Sequence, residues 1–309
     1  MRKIRIGSRG SKLAVWQTNF VAEKLKSLNS NMEIEVILVK TKGDKLLDVA
    51  LSKIGDKGLF TKEIENEILS GRIDMAVHSM KDMPTAIPAG LTIGAVLPRE
   101  NPSDVLLSTT GATLSQMPSG AVIGTSSLRR RAHLMMGRPD LEIVDMRGNI
   151  DSRIRRLLDG EADAIILAAA GVVRLGYQDL ISEELDFLPA IGQGAIMVET
   201  RENDPEILAL VKGLDHAPTR QAITAERSFL AALQGGCQIP IGALAMISGD
   251  NLELEGLVAS LNGGKCIRSR IEGPSEHGDE LGLKLAEMLL SKGAGEILAE
   301  IRDQGNVYE

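Results

Sequence analysis

Three stretches of the chain set hydroxyl or amide side chains within a few positions of arginine: SRGSKLA at 8–14, GTSSLRRRAHL at 124–134 and MRGNIDSRIRRL at 146–157. Serine, threonine and asparagine are favoured at helix N-caps, and the free N–H groups of a first helical turn attract anions. An arginine beside such an end adds charge-assisted donors suited to a carboxylate. The chemistry these stretches could do is the holding of a polyanion. Eight of the 20 arginines fall between 129 and 156 although the net charge is −7, so the positive charge is local. Successive helical residues are about 100° apart, so Arg129, Arg130 and Arg131 cannot all face one ligand. Arg155 likewise points away from the side shared by Arg153 and Arg156. Arg138, past the helix and ahead of Pro139, stands outside the anion-holding turn.

Two further stretches carry reactive side chains. AVHSMKDMP at 76–84 closes an apolar run with His78, Lys81 and Asp82. An aspartate among cations stays ionised and could steady a cationic intermediate, although a turn aspartate ahead of a proline is also a common structural feature. His78 alone reads as a hydrogen-bonded structural residue. AALQGGCQIPIGA at 231–243 sets Cys237 after two glycines. Apolar spacing at Ile223, Phe229, Leu230 and Leu233 predicts a helix over 219–234, with Gly235 as its left-handed stop. Cys237 then follows the negative end of a helix, which does not favour a thiolate. Either it is an inert free cysteine, or it is an attachment point with room beside residues that lack side chains.

The elements that must position these residues follow an α/β rhythm. Strands are expected at Lys3 to Gly7, Ile34 to Val39 and Ile73 to Val77, with helices marked by Leu13 to Leu28 and by Ile64 and Ile68. The rhythm repeats with strands at Ala121 to Gly124, Glu142 to Met146 and Ala164 to Ala169, and helices near 127–136 and 150–158. In open parallel sheets ligands collect at the carboxyl ends of strands, so junctions distant in sequence can converge. Turn formers at 98–102 and 188–194 mark boundaries, and a strand at Ile196 to Glu199 and a helix at 205–214 follow. The last segment reads helix, paired strands at Gly242 to Ile247 and Leu252 to Ala259, strand, helix. This predicts two α/β domains, 1–98 with 195–215 and 99–194, and a smaller C-terminal α+β domain at 216–309. Between 43 and 58 glycines, lysines and the lack of an apolar period predict a mobile loop.

Composition narrows the function classes. Hydrophobic residues are 43% and charged residues 25%, as in ordinary globular chains. The longest apolar stretch, Ala164 to Val173, is far short of the roughly 20 residues of a membrane span. The N-terminus has no apolar core of a signal peptide, which predicts a cytoplasmic protein. Aromatic residues are only 2%, which together with the acidic total argues against nucleic acid as a partner. Cys237 and Cys266 form neither a CxxC pair nor a disulfide framework. A noncatalytic anion receptor would explain the junction arginines equally well, but it would not need GGCQIP.

Taken in order, RGSKLAVWQ, GDKGLF, AVHSMKDMP, GTSSLRRR, MRGNIDSR, LPAIGQGA and GGCQIPIGA resemble sequence blocks of the porphobilinogen deaminase family of tetrapyrrole biosynthesis, over essentially the whole chain. The resemblance implies two domains like the halves of type II periplasmic binding proteins and a third carrying a cysteine on a loop. It implies a dipyrromethane cofactor, assembled from substrate and held by a thioether to Cys237. Each porphobilinogen then loses ammonia to give an azafulvene that the terminal pyrrole attacks, and hydrolysis after four additions releases hydroxymethylbilane. Asp82 matches the family's catalytic aspartate. Lys81, Thr125, Ser127, Arg129, Arg130, Arg147, Arg153, Gly171 and Gln193 are implied in cofactor binding, and Arg9, Ser11, Arg147, Arg153 and Arg174 in substrate binding. Lys57 and Phe60 match the edge of a flexible lid. A monomer without a metal is expected. Met83 and Ser152 stand where valine and threonine are common in the family, which touches only packing.

Overall fold

The computed structural model describes residues 3–45, 61–235 and 239–306. In chain order the strands are β1 Ile4–Ser8, β2 Ile34–Leu38, β3 Met75–Ser79, β4 Leu91–Val96, β5 Asp104–Ser108, β6 Val122–Gly124, β7 Glu142–Val144, β8 Ala164–Ala168, β9 Ile181–Leu185, β10 Ile196–Arg201, β11 Ile241–Ser248, β12 Asn251–Ala259 and β13 Cys266–Pro274. The helices are α1 Lys12–Leu28, α2 Lys42–Lys45, α3 Lys62–Leu69, α4 Leu128–Gly137, α5 Ile150–Leu158, α6 Ala169–Arg174, α7 Pro205–Lys212, α8 Ala217–Ala232, α9 Gly278–Leu289 and α10 Gly295–Asn306. Among the described residues no helix is long and apolar enough to cross a membrane.

The described residues divide into two compact units, one built from those up to Glu100 together with Gly194–Arg220, the other from Asn101–Gln193 and those from Gln221 onward. The sheet of the first unit has the order β2-β1-β3-β10-β4. β1 runs parallel to β2 and β3, and β10 is antiparallel to β3 and β4. One sheet of the second unit repeats this plan as β7-β6-β8-β5-β9, with β5 as the antiparallel strand. Two sheets of this order are the architecture of the type II periplasmic-binding-protein fold expected from the sequence.

Helices cover both faces of each of these sheets. Val21 and Leu25 of α1 pack with Ile4, Ile6, Met75 and Val77, whereas Ile64 and Ile68 of α3 pack with Ile73 and Ala76. Neighbouring strand residues point to opposite faces, so α1 and α3 lie on opposite sides. The connections therefore diverge between β1 and β3, which makes that point a ligand crevice at the carboxyl ends of the strands. In the second unit Leu134 of α4 packs with Ile123, Ala164 and Ile166, and Ile154 and Leu157 of α5 pack with Ile165 and Leu167. The equivalent point there lies between β6 and β8.

The smaller third sheet, β11-β12-β13, is antiparallel. Helices α8, α9 and α10 cover it, Phe229, Leu285, Leu289 and Ile297 packing with Leu252 and Leu254 of β12.

The expected rhythm is present with shifted edges. The third strand was expected at Ile73 to Val77 and runs Met75–Ser79, because Ile73 is spent on the core beneath α3. At the end of α8 the left-handed residue is Gln234, with φ 51°, and not Gly235. The Gln234 N–H donates to the Ala231 carbonyl at 2.9 Å and the Gly235 N–H to that of Leu230 at 3.0 Å, a Schellman closure one residue earlier than expected. Gly235 is needed for closeness instead, since a Cβ there would lie 2.5 Å from Leu230 Cδ1 and 2.6 Å from Ile241 Cδ1.

Candidate functional site

In the first unit the turns after β1 and β3 start from adjacent parallel strand ends, because Ile6 pairs with Met75 and Gly7 with Ala76. Arg9 and Ser11 follow β1; Lys81 and Asp82 follow β3 in the short 3-10 turn Met80–Asp82. Ser11 caps α1, its Oγ accepting from the Ala14 N–H at 3.3 Å. Arg9, Ser11 and Lys81 are half-buried and Asp82 is exposed. Ser79, the last residue of β3, exchanges hydrogen bonds with the Gln17 side chain of α1 at 2.9 and 3.2 Å. His78 is buried and hydrogen-bonded, its Nε2 3.1 Å from Glu199 Oε2, as its structural reading expected.

In the second unit β7, β6 and β8 lie side by side and parallel; Gly124 and Val144 end β6 and β7 opposite each other, and β8 runs on to Ala168. The Thr125 N–H donates to the Val144 carbonyl at 2.9 Å, joining the turns after β6 and β7. Thr125 Oγ1 accepts from the Ser127 N–H at 3.3 Å, and Ser127 caps α4 by accepting from the Arg130 N–H at 3.5 Å. Asn149 stands at the N-cap of α5 without a side-chain bond to its first turn. Gly148, at φ 106°, allows the sharp entry, and a Cβ there would lie 2.4 Å from Ser152 Oγ. Arg153 Nε donates to the Gly148 carbonyl at 2.7 Å, which lays this half-buried side chain back over the turn that carries Arg147. After β8, α6 holds Gly171 buried in its first turn and half-buried Arg174 at its end.

Arg129 and Arg130 point inward, not out of the turn. Both are 5% exposed, and they converge on Asp104, the first residue of β5. Arg129 Nη1 donates to Asp104 Oδ2 at 2.6 Å and to the Leu188 carbonyl at 2.8 Å. Arg130 donates to Asp104 Oδ1 through Nη2 at 2.7 Å and Nε at 3.0 Å, and to the Ile166 carbonyl at 2.8 Å. Gln193 completes the group, with Nε2 2.9 Å from Asp104 Oδ1 and 2.7 Å from the Pro102 carbonyl. Burial by itself would raise the Asp104 carboxyl, but the two guanidinium charges hold it far below the usual carboxylate range. Arg131 is exposed, so the three arginines do not all face one way, as helical geometry required.

Arg138 stands at the C-cap of α4, outside the anion-holding turn as expected, and has a structural role. It donates to the Leu114 carbonyl and to that of Met117 at 2.8 Å, and pairs with Asp140 at 2.8 Å, so it ties a loop to the end of α4.

Two residues escaped the sequence reading. Asp104 opens an apolar run in NPSDVLLS, and an acidic side chain at the head of a fully buried strand is the signal that could have found it. Ser126, between the two hydroxyls that were singled out, has a buried Oγ with no partner among the described residues. Cys237, Lys57 and Phe60, and most of the expected loop at 43–58, lie outside the described residues. Cys266 is an exposed free thiol opening β13.

Sequence comparison with known proteins identifies the family. The family model described as porphobilinogen deaminase, dipyromethane cofactor binding domain, matches residues 4–209, and that of the porphobilinogen deaminase C-terminal domain matches 220–291. A porphobilinogen deaminase of Desulforamulus reducens is 53% identical over 303 residues, covering 97% of this chain and 98% of the relative. Those of Pelotomaculum thermopropionicum and Carboxydothermus hydrogenoformans are each 52% identical, covering 98% and 99% of both chains respectively. With both models matched and relatives above half identity along nearly its whole length, the chain belongs to the porphobilinogen deaminase family of transferases, which carry a dipyrromethane cofactor-binding domain.

Proposed function

We propose that this chain carries dipyrromethane through a thioether at Cys237 and extends it by four porphobilinogen units before hydrolysis frees hydroxymethylbilane. The observation that carries the reading is the group at the ends of β6 and β7: Ser126 Oγ is buried without a partner among the described residues, and the Asn149 N-cap of α5 makes no side-chain capping bond. Buried hydroxyls and helix N-termini in native folds are nearly always satisfied. A ligand bearing several carboxylates, as dipyrromethane does through its acetate and propionate arms, fits both groups. Thr125, Ser127, Arg147 and Arg153 surround them and would hold those arms. Arg129, Arg130 and Gln193, gathered on Asp104, would give the turn its shape and direct their remaining donors to the cofactor. Gly171 at the start of α6 and Lys81 in the turn after β3 would also take part in binding it.

Bound at Cys237, the cofactor supplies a free pyrrole α-carbon as the nucleophile for chain growth. Asp82, exposed at the end of its turn, is suited to accept from a pyrrole N–H of the substrate. It would offset positive charge developing there as the aminomethyl group departs as ammonia, an electrostatic contribution that preorganised groups make well. Arg9 and the Ser11-capped end of α1 supply donors for the substrate's carboxylates, with Arg147, Arg153 and Arg174. Lys57 and Phe60 belong in this reading to a lid, the protein acts as a cytoplasmic monomer, and the residues from 216 onward form a third domain.

Intact mass tests the attachment. The purified protein should exceed its sequence mass by one dipyrromethane unit, Cys237→Ser should show the bare mass, and Cys266→Ser should keep the adduct. The reverse pattern would falsify the assignment.

A further inference from the structure

β3 passes into the Met80–Asp82 turn without an intervening residue, so His78 and Ser79 are the last strand positions before Lys81 and Asp82. Their side chains leave the sheet on opposite faces. Ser79 is held on the α1 face by Gln17 at 2.9 Å. His78 is held on the other face, where α3 packs, by Glu199 at 3.1 Å. The ladder makes this second link a diagonal, since Met197 of β10 stands opposite His78 and Glu199 opposite Ala76. The turn's backbone is joined to the entrance of the same strand, the Met80 N–H donating to the Ala195 carbonyl at 3.0 Å.

Glu199 is fully buried, and its Oε1 has no partner among the described residues. Glu65 of α3, 7% exposed, also has an unpartnered Oε1. Burial pushes the Glu65 carboxyl up, and the Glu199 charge adds to that effect. Leaving a buried acceptor unmet is costly. A second carboxyl beside it makes the site dearer still in a part of the molecule that needs no charge for its packing.

We infer that Glu199, acting through His78, is a positioning residue for the turn that carries Lys81 and Asp82. The inference rests on the reading of Asp82 as the group that meets the substrate's pyrrole. Removing the link frees the imidazole and one side of the strand end, and a misplacement of about 1 Å at reacting groups costs roughly 100-fold in rate.

The test compares Glu199→Leu, Glu199→Gln, Asp82→Asn and the double variant Glu199→Leu/Asp82→Asn, reading kcat, KM for porphobilinogen, intact mass and melting temperature. Glu199→Leu should keep the cofactor mass and a KM within about twofold, while kcat falls roughly 10- to 100-fold. Glu199→Gln should recover most of that loss, because the amide oxygen still accepts from the imidazole. The double variant should be no slower than Asp82→Asn alone, since both changes act on one group. A near-normal kcat for Glu199→Leu, a Gln variant as slow as the Leu variant, or losses that multiply in the double variant would overturn the inference. Asp82→Asn at the normal rate would instead sink the reading of Asp82, whatever Glu199 does. Should Glu199→Leu not fold, His78→Asn cuts the same link from the other side and is paired with Asp82→Asn in the same way.

Discussion

Asp104 meets Arg130 through a forked contact in the protein interior: its Oδ1 accepts from both Nη2 at 2.7 Å and Nε at 3.0 Å. Arg129 shares the same carboxylate, so a single negative charge serves two buried guanidiniums. Taking away one member of such a buried group typically costs about 3 to 5 kcal/mol, because the remaining charges lose their partner in a poorly solvating medium. Asp104→Asn should therefore lower stability by about that amount in urea denaturation. A change below about 1 kcal/mol would mean that the guanidiniums find other partners.

Arg153 and Arg131 separate ligand binding from a solvated helix surface. Arg153 folds back over Gly148 beside the uncapped end of α5, whereas Arg131 is exposed. Arg153→Leu should lose a charge-assisted bond to a carboxylate, about 1.5 to 3 kcal/mol, and so assemble little cofactor or raise KM at least tenfold. Arg131→Leu should keep the full adduct mass and rate. Equal, small effects in both would show that this arginine-rich segment is only a surface.

Arg138→Leu should weaken the fold and spare the chemistry. Its bonds to the Leu114 and Met117 carbonyls and to Asp140 hold a loop against the end of α4, away from the turns at 125–127 and 147–149. A lowered melting temperature with normal cofactor mass and kcat is the expected pattern. A normal melting temperature with a reduced rate would place Arg138 in the site.

Asp82→Asn should fold normally and turn over roughly 100-fold more slowly, as expected when charge stabilisation is removed from a transition state. Circular dichroism and single-turnover kinetics would separate lost chemistry from lost structure. An unchanged rate would make Asp82 an ordinary turn residue.

His133 gives a pH dependence with a defined sign. It stacks on Phe187 with ring centroids 4.7 Å apart, and its Nε2 is buried without a partner among the described residues. Burial, helped by the nearby Arg129 charge, pushes it down to about 4 from an ordinary value of 6.5. Between these values the unfolded chain binds a proton that the folded protein refuses, so stability falls as pH drops from 6.5 toward 4, by about 3 kcal/mol in all. Below 4 this contribution levels off. Denaturation across this range should show a shallower decline for His133→Phe than for the parent chain, and parallel curves would mean that His133 takes up a proton without unfolding.

Much of the scaffold could be read from periodicity. The strands that alternate with helices, β1, β2, β3, β6, β7, β8 and β10, carry β-branched or alternating apolar residues, and all were expected within about two residues. β4, β5 and β9 were not, because β4 and β5 follow β3 with no α-helix among them and β9 runs on to β10 without one, outside the strand–helix rhythm, and β5 begins only two residues after a proline-bounded linker. The hydroxyls at helix starts were legible for the same reason as the helices, since capping is local chemistry. The inward turn of Arg129 and Arg130 was not legible. It depends on Asp104, 25 residues upstream for Arg129, brought across by a strand crossing that no local pattern encodes. The left-handed Gln234 was missed because glycine is the usual occupant, and here glycine was reserved for a close approach one residue later.

The late return of the chain to the first sheet sets an order for the newborn chain. β4 has β10 as its neighbour in the sheet, and β10 begins at Ile196, 100 residues after β4 ends at Val96. The second sheet draws all five strands from residues 104–185. Although it is encoded later, it is the first of the two whose strands have all been made. At about 5 to 20 residues per second, the N-terminal sheet must wait roughly 5 to 20 s with β4 unpaired after that strand is synthesised. A chain halted before Ile196 should therefore protect its second sheet from protease while leaving its first open, the reverse of the usual N-terminal-first sequence.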